Sequence, residues 1–166
     1  MTDYQHIIVD TPLESVSRIT LNRPDSRNAL NNVLRGEIYG TLEANDNNDA
    51  IRVTIIRGAG PAFCAGYDLK GNSDEDRPFH TAGGDGSWAR HVVEGAFRVW
   101  DLAKPVIAQV HGYCLAGGTE LATSCDLVYV AEDAKIGYPV VRSMSPPDNQ
   151  FFPWVVGMRN AMEMML

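Results

Sequence analysis

The chain has 166 residues, of which 45% are hydrophobic and 21% are charged, and this is enough for one domain with a substantial core. Its formal net charge of -7 gives no electrostatic reason to expect binding to nucleic acid or to an anionic membrane. No apolar run approaches the length of a membrane span, and the first residues lack the basic and apolar regions of a signal peptide, which favours the cytoplasm. The cysteines Cys64, Cys114 and Cys125 lack metal-ligand spacing, so we expect them to be buried and reduced, and we expect no metal site.

The first part of the chain carries the patterns of a strand pair followed by a helix. Residues 7–9 and 16–21 are apolar or alternating and are separated by a proline-containing turn, which predicts a hairpin. Apolar residues recur at helical spacing from residue 30 onward. The polar, turn-forming stretch 45–49 predicts that this helix ends at about Glu43.

A strand and a glycine-rich loop come next. Residues 51–57 form the most strand-like segment of the chain and lead into the loop 58–68. The Gly-x-Gly of this loop resembles the opening of a dinucleotide-binding fingerprint, but the third glycine would fall at Phe63, and Pro61 interrupts any immediate helix. We therefore favour a loop whose small residues at 65–67 bring main-chain donors near a ligand, and keep a dinucleotide-binding oxidoreductase as a distant alternative.

Residues 70–86 are polar and rich in glycine and charge, which predicts a long loop. Two interpretations stay open for it, a lid over a neighbouring ligand or plain surface disorder. Ser87 is placed to cap a helix that runs to about Leu102. His91 on this helix has no Ser or Cys partner that the sequence can place beside it, so we expect a packed or solvated histidine.

The stretch 111–125 carries the candidate chemistry. It follows an apolar strand pattern at 105–110, and its small residues 116–118 lead into a short apolar helix at 119–123. Glycines at such a junction let a ligand approach N–H groups that have no partner within the helix, so an oxyanion would be stabilised there. Glu120 lies within one turn of this point, which places a proton-transfer group beside an anion hole. The alternative is an ordinary helix start with a surface glutamate.

The last part of the chain has a strand pattern at 126–131, a short extended piece at 135–138 and a turn at 143–149 before a final helix. Strands and helices alternate along the whole chain, which argues for a single α/β domain over residues 1–166. The final helix ends on apolar residues without a stop signal, so we expect a fragment of a longer protein.

The chain contains three further motif segments, 21–30, 55–69 and 104–122. They read Leu-Asn-Arg-Pro-Asp-Ser-Arg-Asn-Ala-Leu, Ile-Ile-Arg-Gly-Ala-Gly-Pro-Ala-Phe-Cys-Ala-Gly-Tyr-Asp-Leu and Lys-Pro-Val-Ile-Ala-Gln-Val-His-Gly-Tyr-Cys-Leu-Ala-Gly-Gly-Thr-Glu-Leu-Ala. In order and spacing they resemble the enoyl-CoA hydratase/isomerase, or crotonase, superfamily. The resemblance implies a crotonase-like spiral of β-β-α units. It also implies that the C-terminal helical segment lies beyond Leu166 and that the protein forms a homotrimer or a dimer of trimers.

The resemblance makes the main-chain N–H groups of Tyr67 and Gly117 the two donors to the thioester carbonyl oxygen, where enolate-like charge develops. The family usually has a smaller side chain at the position of Tyr67, but the role uses only the N–H. Coenzyme A is then part of the substrate, and no separate cofactor is implied. The residues implied to contact it are Arg27, Ala29, Ala65 and Asp68, with Arg23 as a further phosphate partner.

Glu120 falls on one of two positions at which the hydratases of the family carry a catalytic glutamate. The second position is Val140 here, so the usual pair of carboxylates is absent. Asp148 is a candidate replacement, because its counterpart is a working aspartate in some relatives, including dienoyl-CoA isomerases. An ordinary turn or helix-capping aspartate is the alternative.

The predicted function is therefore an enoyl-CoA hydratase, a hydro-lyase of fatty acid metabolism. Glu120 would position and deprotonate the water, Tyr67 and Gly117 would hold the enolate oxygen, and Asp148 or a water would return the proton. Two alternatives remain. One is another reaction of the family through Asp148, either dienoyl-CoA isomerisation or hydrolysis of an aryl- or acyl-CoA. The other is a catalytically silent acyl-CoA binding protein.

Overall fold

The computed structural model describes residues 3–70, 87–142 and 151–166, with side chains in the second range from residue 93 onward. The predicted loop beyond Lys70 and the predicted turn at 143–149, with Asp148, lie outside the described residues. So does the side chain of His91.

Within these ranges, strands form a larger and a smaller sheet. The strands are β1 (Ile7–Leu13), β2 (Val16–Leu21), β3 (Val53–Gly58), β4 (Ala62–Cys64), β5 (Val106–Val110), β6 (Tyr113–Leu115), β7 (Leu127–Val130) and β8 (Lys135–Gly137). The helices are α1 (Asn32–Asp46), α2 (Ser87–Trp100), α3 (Gly117–Ser124), α4 (Phe152–Val156) and α5 (Met158–Met165), with short 3-10 turns at Pro24–Ser26 and Pro139–Arg142. Of the helices in the described ranges, none combines the length and the apolar character that crossing a membrane requires.

The larger sheet has the order β1-β2-β3-β5-β7, in which β1 and β2 form the predicted antiparallel hairpin and the other neighbours run parallel. The smaller sheet, β4-β6-β8, is parallel throughout. After α1, each turn of the chain adds one strand to each sheet and then a helix, so the predicted α/β spiral of β-β-α units is confirmed. Strands β4 and β6 were not predicted. Each has only 3 residues and pairs with segments distant in sequence, so no local periodicity marks it.

One large apolar cluster packs α1 and α3 against the larger sheet. Alternate residues of β2 and β3 face it, including the fully buried Ile19 and Ile56. From α1, Leu34 and Ile38 enter the same cluster, one turn apart on one face of the helix. This packing fixes the sheet on which the loops of the site are built.

Helix α1 is confirmed, but it extends into the stretch that was predicted to interrupt it. Asn31 caps its start, because its side chain accepts a hydrogen bond from the Leu34 N–H at 2.8 Å. The helix ends at Asp46. In its last turn the side chain of Asn45 donates to the Ser17 hydroxyl at 2.9 Å, and this bond ties the polar turn to the sheet.

The C-terminal helix that was predicted as one element is two, so this prediction is wrong. Gly157 separates α4 from α5 with a φ of 83°. This left-handed conformation interrupts a helix, and glycine adopts it without the clash that a Cβ would cause.

The three cysteines are buried and free, as predicted. Burial raises the pKa of the Cys64 and Cys114 thiols from 9.0 to about 12. It also raises the pKa of Cys125.

We expect the free energy of unfolding to fall as the pH rises above 9. Over the window from 9.0 to about 12, Cys64 and Cys114 are protonated in the folded chain but ionised in the unfolded chain. The folded state therefore binds more protons, and stability decreases with pH. Chemical unfolding at neutral pH and within this window measures the fall. The double variant Cys64→Ala, Cys114→Ala should show a smaller one, and an equal pH dependence would contradict the prediction.

Candidate active site

The loop after β4 and the turn before α3 lie against each other. Gly66 has a φ of 108°, and a Cβ at this position would lie 3.0 Å from the Ala116 Cβ and 3.5 Å from the Gly117 nitrogen. A Cβ on Gly118 would lie 2.4 Å from the carbonyl oxygen of Cys64. Glycine is therefore required at both positions, and the two segments predicted to contact a ligand are in direct contact with each other.

The N–H of Gly117 lies at the start of α3. As the first residue of the helix, Gly117 has no acceptor for its N–H within the helix, and this end carries the positive pole of the helix dipole. Ala116 precedes it with φ 49° and ψ -121°. A non-glycine residue in such a conformation is strained by about 1–3 kcal/mol. The Ala116 N–H donates to the Gly137 carbonyl oxygen at 3.0 Å, which helps to hold this backbone in place.

Tyr67 forms a parallel bridge with Leu30, but its own N–H and carbonyl groups make none of the bonds of this bridge. This bridge consists of a bond from the Leu30 N–H to the Gly66 carbonyl oxygen at 2.8 Å and one from the Asp68 N–H to the Leu30 carbonyl oxygen at 3.0 Å. In a parallel ladder the residue between the two bonded ones turns its own N–H to the opposite side.

Glu120 is buried and is not a surface glutamate, since only 4% of it is exposed. Its two carboxylate oxygens accept hydrogen bonds from two phenols. The Tyr67 hydroxyl donates to Oε2 at 2.5 Å, and the Tyr138 hydroxyl donates to Oε1 at 2.7 Å. Bonds to an ionised acceptor are about twice as strong as neutral ones, and here they offset part of the cost of burying the carboxylate.

The ring of Tyr67 packs onto the helix start. A Cβ on Gly117 would lie 2.6 Å from the Tyr67 Cε2, so the ring takes the space that a side chain on Gly117 would fill. The guanidinium carbon of Arg35 lies 5.3 Å from the centroid of the same ring, and Arg35 is only 1% exposed. Arg35 also makes a hydrogen bond to Tyr39. A buried cation thus accompanies the buried carboxylate.

Tyr67 and Tyr39 hold their protons more tightly than free tyrosine does. Burial raises the pKa of Tyr67 well above 10.0, the Glu120 carboxylate adds to the rise, and Arg35 opposes it. Burial likewise raises the pKa of Tyr39, again against the effect of Arg35. Both phenols are therefore hydrogen-bond donors around neutral pH.

A cavity of about 10 Å³ lies beside Glu120. This is about the space that one water molecule needs. The cavity is lined by Leu30, Tyr39, Tyr67, Ala96, Gly117, Glu120, Leu121 and Ser124.

A larger groove of about 500 Å³ opens at the ends of β3, β5 and β7, but the described residues that line it include no carboxylate. Its cationic or histidine side chains are already bonded within the fold. Arg57 donates to the Thr20 hydroxyl at 3.0 Å, and the His111 Nε2 lies 2.9 Å from the Gly60 carbonyl oxygen. We therefore assign the candidate site to the cavity beside Glu120.

The residues predicted to contact coenzyme A come together around the loop after β2. The Ala65 N–H donates to the Arg27 carbonyl oxygen at 3.0 Å. Arg23 forms an ion pair with Asp68 at 2.8 Å and also donates to the Ala29 carbonyl oxygen. Burial raises the pKa of Asp68, but hydrogen bonds from the Lys70 N–H and from Arg23 outweigh this effect and bring it below 3.8. The charges of Arg23 and Asp68 are therefore paired with each other within the fold.

Two cations flank one exposed ring beside this loop. The guanidinium carbon of Arg27 lies 5.9 Å from the centroid of the Tyr113 ring, and the Lys135 Nζ lies 5.4 Å from it. Arg27 and Lys135 are themselves exposed. Their charges are accessible to an anionic group at the surface.

Sequence reasoning missed part of this site. It did not identify Arg35, Tyr39 or Tyr138, and it assigned Tyr67 a role for its N–H alone. Arg35 and Tyr39 are four residues apart beside the apolar face of α1, a pattern that an ordinary surface pair also shows. Val140 is half-buried in a separate apolar cluster and places no carboxylate beside Glu120.

Similarity to known proteins identifies the family. A sequence model of a family described as enoyl-CoA hydratase/isomerase matches residues 12–166. The chain belongs to the enoyl-CoA hydratase/isomerase family. A crystal structure of an enoyl-CoA hydratase/isomerase from Xanthobacter autotrophicus Py2 superimposes on this family member with a TM-score of 0.84 at 38% identity, covering 98% of this chain and 60% of the other.

Two relatives bear different activity names. A probable enoyl-CoA hydratase of Rhizobium meliloti is 36% identical over 98% of this chain and 62% of its own length. A peroxisomal Delta(3,5)-Delta(2,4)-dienoyl-CoA isomerase of Arabidopsis thaliana is 33% identical over 92% of this chain and 58% of its own. This enoyl-CoA hydratase/isomerase family member thus spans about three fifths of the length of these relatives.

Proposed function

We propose that this family member is an enoyl-CoA hydratase, which adds water across the double bond of a 2-enoyl-CoA thioester. The observation that carries the proposal is the buried Glu120 carboxylate beside a water-sized cavity that Tyr67 and Gly117 also line. A carboxylate in this position can orient a water molecule and accept its proton. The similarity to proteins named as hydratases supports the same reaction.

In the proposed reaction, the N–H groups of Tyr67 and Gly117 bind the thioester oxygen. As water adds to C3, negative charge moves onto this oxygen, and donors already in place stabilise it without reorganising. Loss of one such donor typically costs about 3 to 4 kcal/mol of the barrier. The dipole of α3 acts in the same sense at Gly117.

Turnover of crotonyl-CoA by the purified natural protein tests the proposal. Loss of the absorbance of the conjugated double bond, with formation of 3-hydroxybutyryl-CoA, is the expected result. No turnover of crotonyl-CoA, together with turnover of a dienoyl or aryl thioester, would favour the second candidate, isomerisation or hydrolysis through Asp148. The similarity to a protein named as a dienoyl-CoA isomerase supports the isomerisation. Binding of coenzyme A without any turnover would indicate a silent acyl-CoA binding protein.

We expect Arg27→Ala to raise the KM for crotonyl-CoA about 10-fold and to leave kcat close to that of the wild type. An exposed guanidinium that binds a phosphate of coenzyme A stabilises the ground state and the transition state equally, and about 1.4 kcal/mol of such binding corresponds to 10-fold. Steady-state kinetics measures the change. Arg52→Ala, which removes another exposed arginine, is the matched control. Equal KM values for the two variants would remove Arg27 from the binding site.

Assembly as a homotrimer or a dimer of trimers, and a cytoplasmic location, stay predictions. Analytical ultracentrifugation of the natural protein tests the first. Fractionation of the producing cells tests the second.

A further inference from the structure

Hydration requires one group that takes a proton from water and one that delivers a proton to C2. Glu120 serves the first task in the proposed function. For the second, the family position that would hold another carboxylate is Val140, which lies in an apolar cluster. Among the described residues that line the cavity, Tyr39 and Tyr67 carry phenol hydroxyls that could deliver a proton. Of these two, Tyr67 bonds directly to Glu120.

We propose that Tyr67 is a catalytic residue whose hydroxyl delivers the proton to C2, in place of a second carboxylate. This inference rests on the proposed function. It gives Tyr67 two roles at one thioester, since its N–H would bind the carbonyl oxygen and its hydroxyl would protonate the carbon next to the carbonyl.

The position of the Tyr67 side chain supports this assignment. Its ring lies against Gly117, the other predicted donor to the thioester oxygen, and its hydroxyl lies 2.5 Å from the Glu120 Oε2. C2 of an enoyl thioester is bonded to the carbonyl carbon, so it must lie close to the two N–H donors. Tyr67, Gly117 and Glu120 all line the same water-sized cavity.

The proton transfers balance without an external acid. The Glu120 carboxylate takes a proton from water as the water oxygen forms its bond to C3, and the electron pair of the C2–C3 double bond moves into an enolate on the thioester oxygen. The enolate then collapses, and C2 takes the proton from the Tyr67 hydroxyl. The Tyr67 phenolate recovers a proton from the Glu120 carboxylic acid across their hydrogen bond. Both side chains end in their starting states.

The acidity of Tyr67 changes during the reaction in the direction that these proton transfers require. In the resting site the negative charge of Glu120 helps to keep Tyr67 protonated, since it adds to the effect of burial on the pKa of Tyr67. When Glu120 has taken the proton of the water, this repulsion disappears and Tyr67 becomes a better acid. Arg35, which lies 5.3 Å from the ring centroid and bonds to Tyr39, then stabilises the transient phenolate.

Tyr138 provides an internal comparison, because it bonds to the other oxygen of Glu120 at 2.7 Å. It does not belong to the lining of the cavity, and its ring packs edge-on against Phe152 with the centroids 5.7 Å apart. Tyr138 is therefore a positioning residue that acts through Glu120. Removing either hydroxyl takes one hydrogen bond from the same carboxylate. Only removal of the Tyr67 hydroxyl would also abolish a proton transfer.

The experiment compares Tyr67→Phe with Tyr138→Phe in the natural protein, with the exposed Tyr129→Phe as a matched control. Hydration of crotonyl-CoA is run in D2O, and NMR of the product shows which face of C2 received deuterium. We expect Tyr67→Phe to lower kcat about 10²-fold or more with little change in KM, and its residual product to carry deuterium on both faces. Tyr138→Phe should lose about 10-fold and keep a single labelled face. Tyr129→Phe should match the wild type.

Two results would overturn the inference. One is a Tyr67→Phe variant that keeps wild-type kcat or labels a single face. The other is Asp148→Asn losing the single labelled face while Tyr67→Phe keeps it. Both require an active wild type, so they differ from a wild type that does not hydrate crotonyl-CoA, which would overturn the proposed function and this inference together. Circular dichroism and coenzyme A affinity of each variant show that the fold and the binding site are retained.

Discussion

Glu120→Gln should lower kcat for hydration of crotonyl-CoA by about 10³-fold, the loss typical of removing a general base. Glutamine has nearly the same shape as glutamate, and its oxygen can still accept a hydrogen bond from one of the two phenols while its NH2 group donates to the hydroxyl oxygen of the other. It cannot take the proton of the attacking water. The affinity for coenzyme A should stay close to that of the wild type. Steady-state kinetics and calorimetric titration with coenzyme A measure the two quantities.

Glu132→Gln is the matched control for this change. Glu132 is exposed just after β7, and the same substitution there should leave kcat unchanged. A Glu120→Gln enzyme that retained more than about one tenth of wild-type kcat would contradict the role of Glu120 as the base, because a base contributes at least about 10²-fold.

Gly118→Ala should destabilise the fold by about 1–3 kcal/mol and also lower kcat about 10²-fold. The added Cβ would lie 2.4 Å from the carbonyl oxygen of Cys64. This oxygen belongs to the backbone, so it cannot move aside as the end of a flexible side chain could. The turn before α3 and the loop after β4 must then separate, which moves the Gly117 N–H relative to that of Tyr67. Urea unfolding and steady-state kinetics measure both effects.

Gly40→Ala is the matched control for this change. It also adds a methyl group to a glycine, but we expect it to stabilise the fold. Gly40 is exposed inside α1, and a Cβ there would meet nothing within 4 Å. Replacing a glycine by alanine inside a helix should stabilise it by about 0.5–1 kcal/mol. Equal losses of stability in the two variants would show that contact with Cys64 is not what requires glycine at residue 118.

Elements with a strong local pattern could be predicted from the sequence. The apolar spacing in α1, the alternation in β2 and the strand-like composition of β3 each arise within one element, so they predicted the element. The strands β4 and β6 left no such pattern, because each is short and depends on partners from other turns of the spiral. The break between α4 and α5 was missed because a glycine at residue 157 also fits a helix interior, and only its left-handed φ shows the interruption.

The sequence by itself determined the family and predicted the two backbone segments of the candidate site, because glycine requirements and motif spacing are encoded in consecutive residues. Only the tertiary structure decided that Glu120 is buried between two phenols. Tyr67, Glu120 and Tyr138 come from three successive turns of the spiral, and Arg35 approaches from α1. Their contacts arise when the sheets stack these turns, and no spacing along the chain records this arrangement.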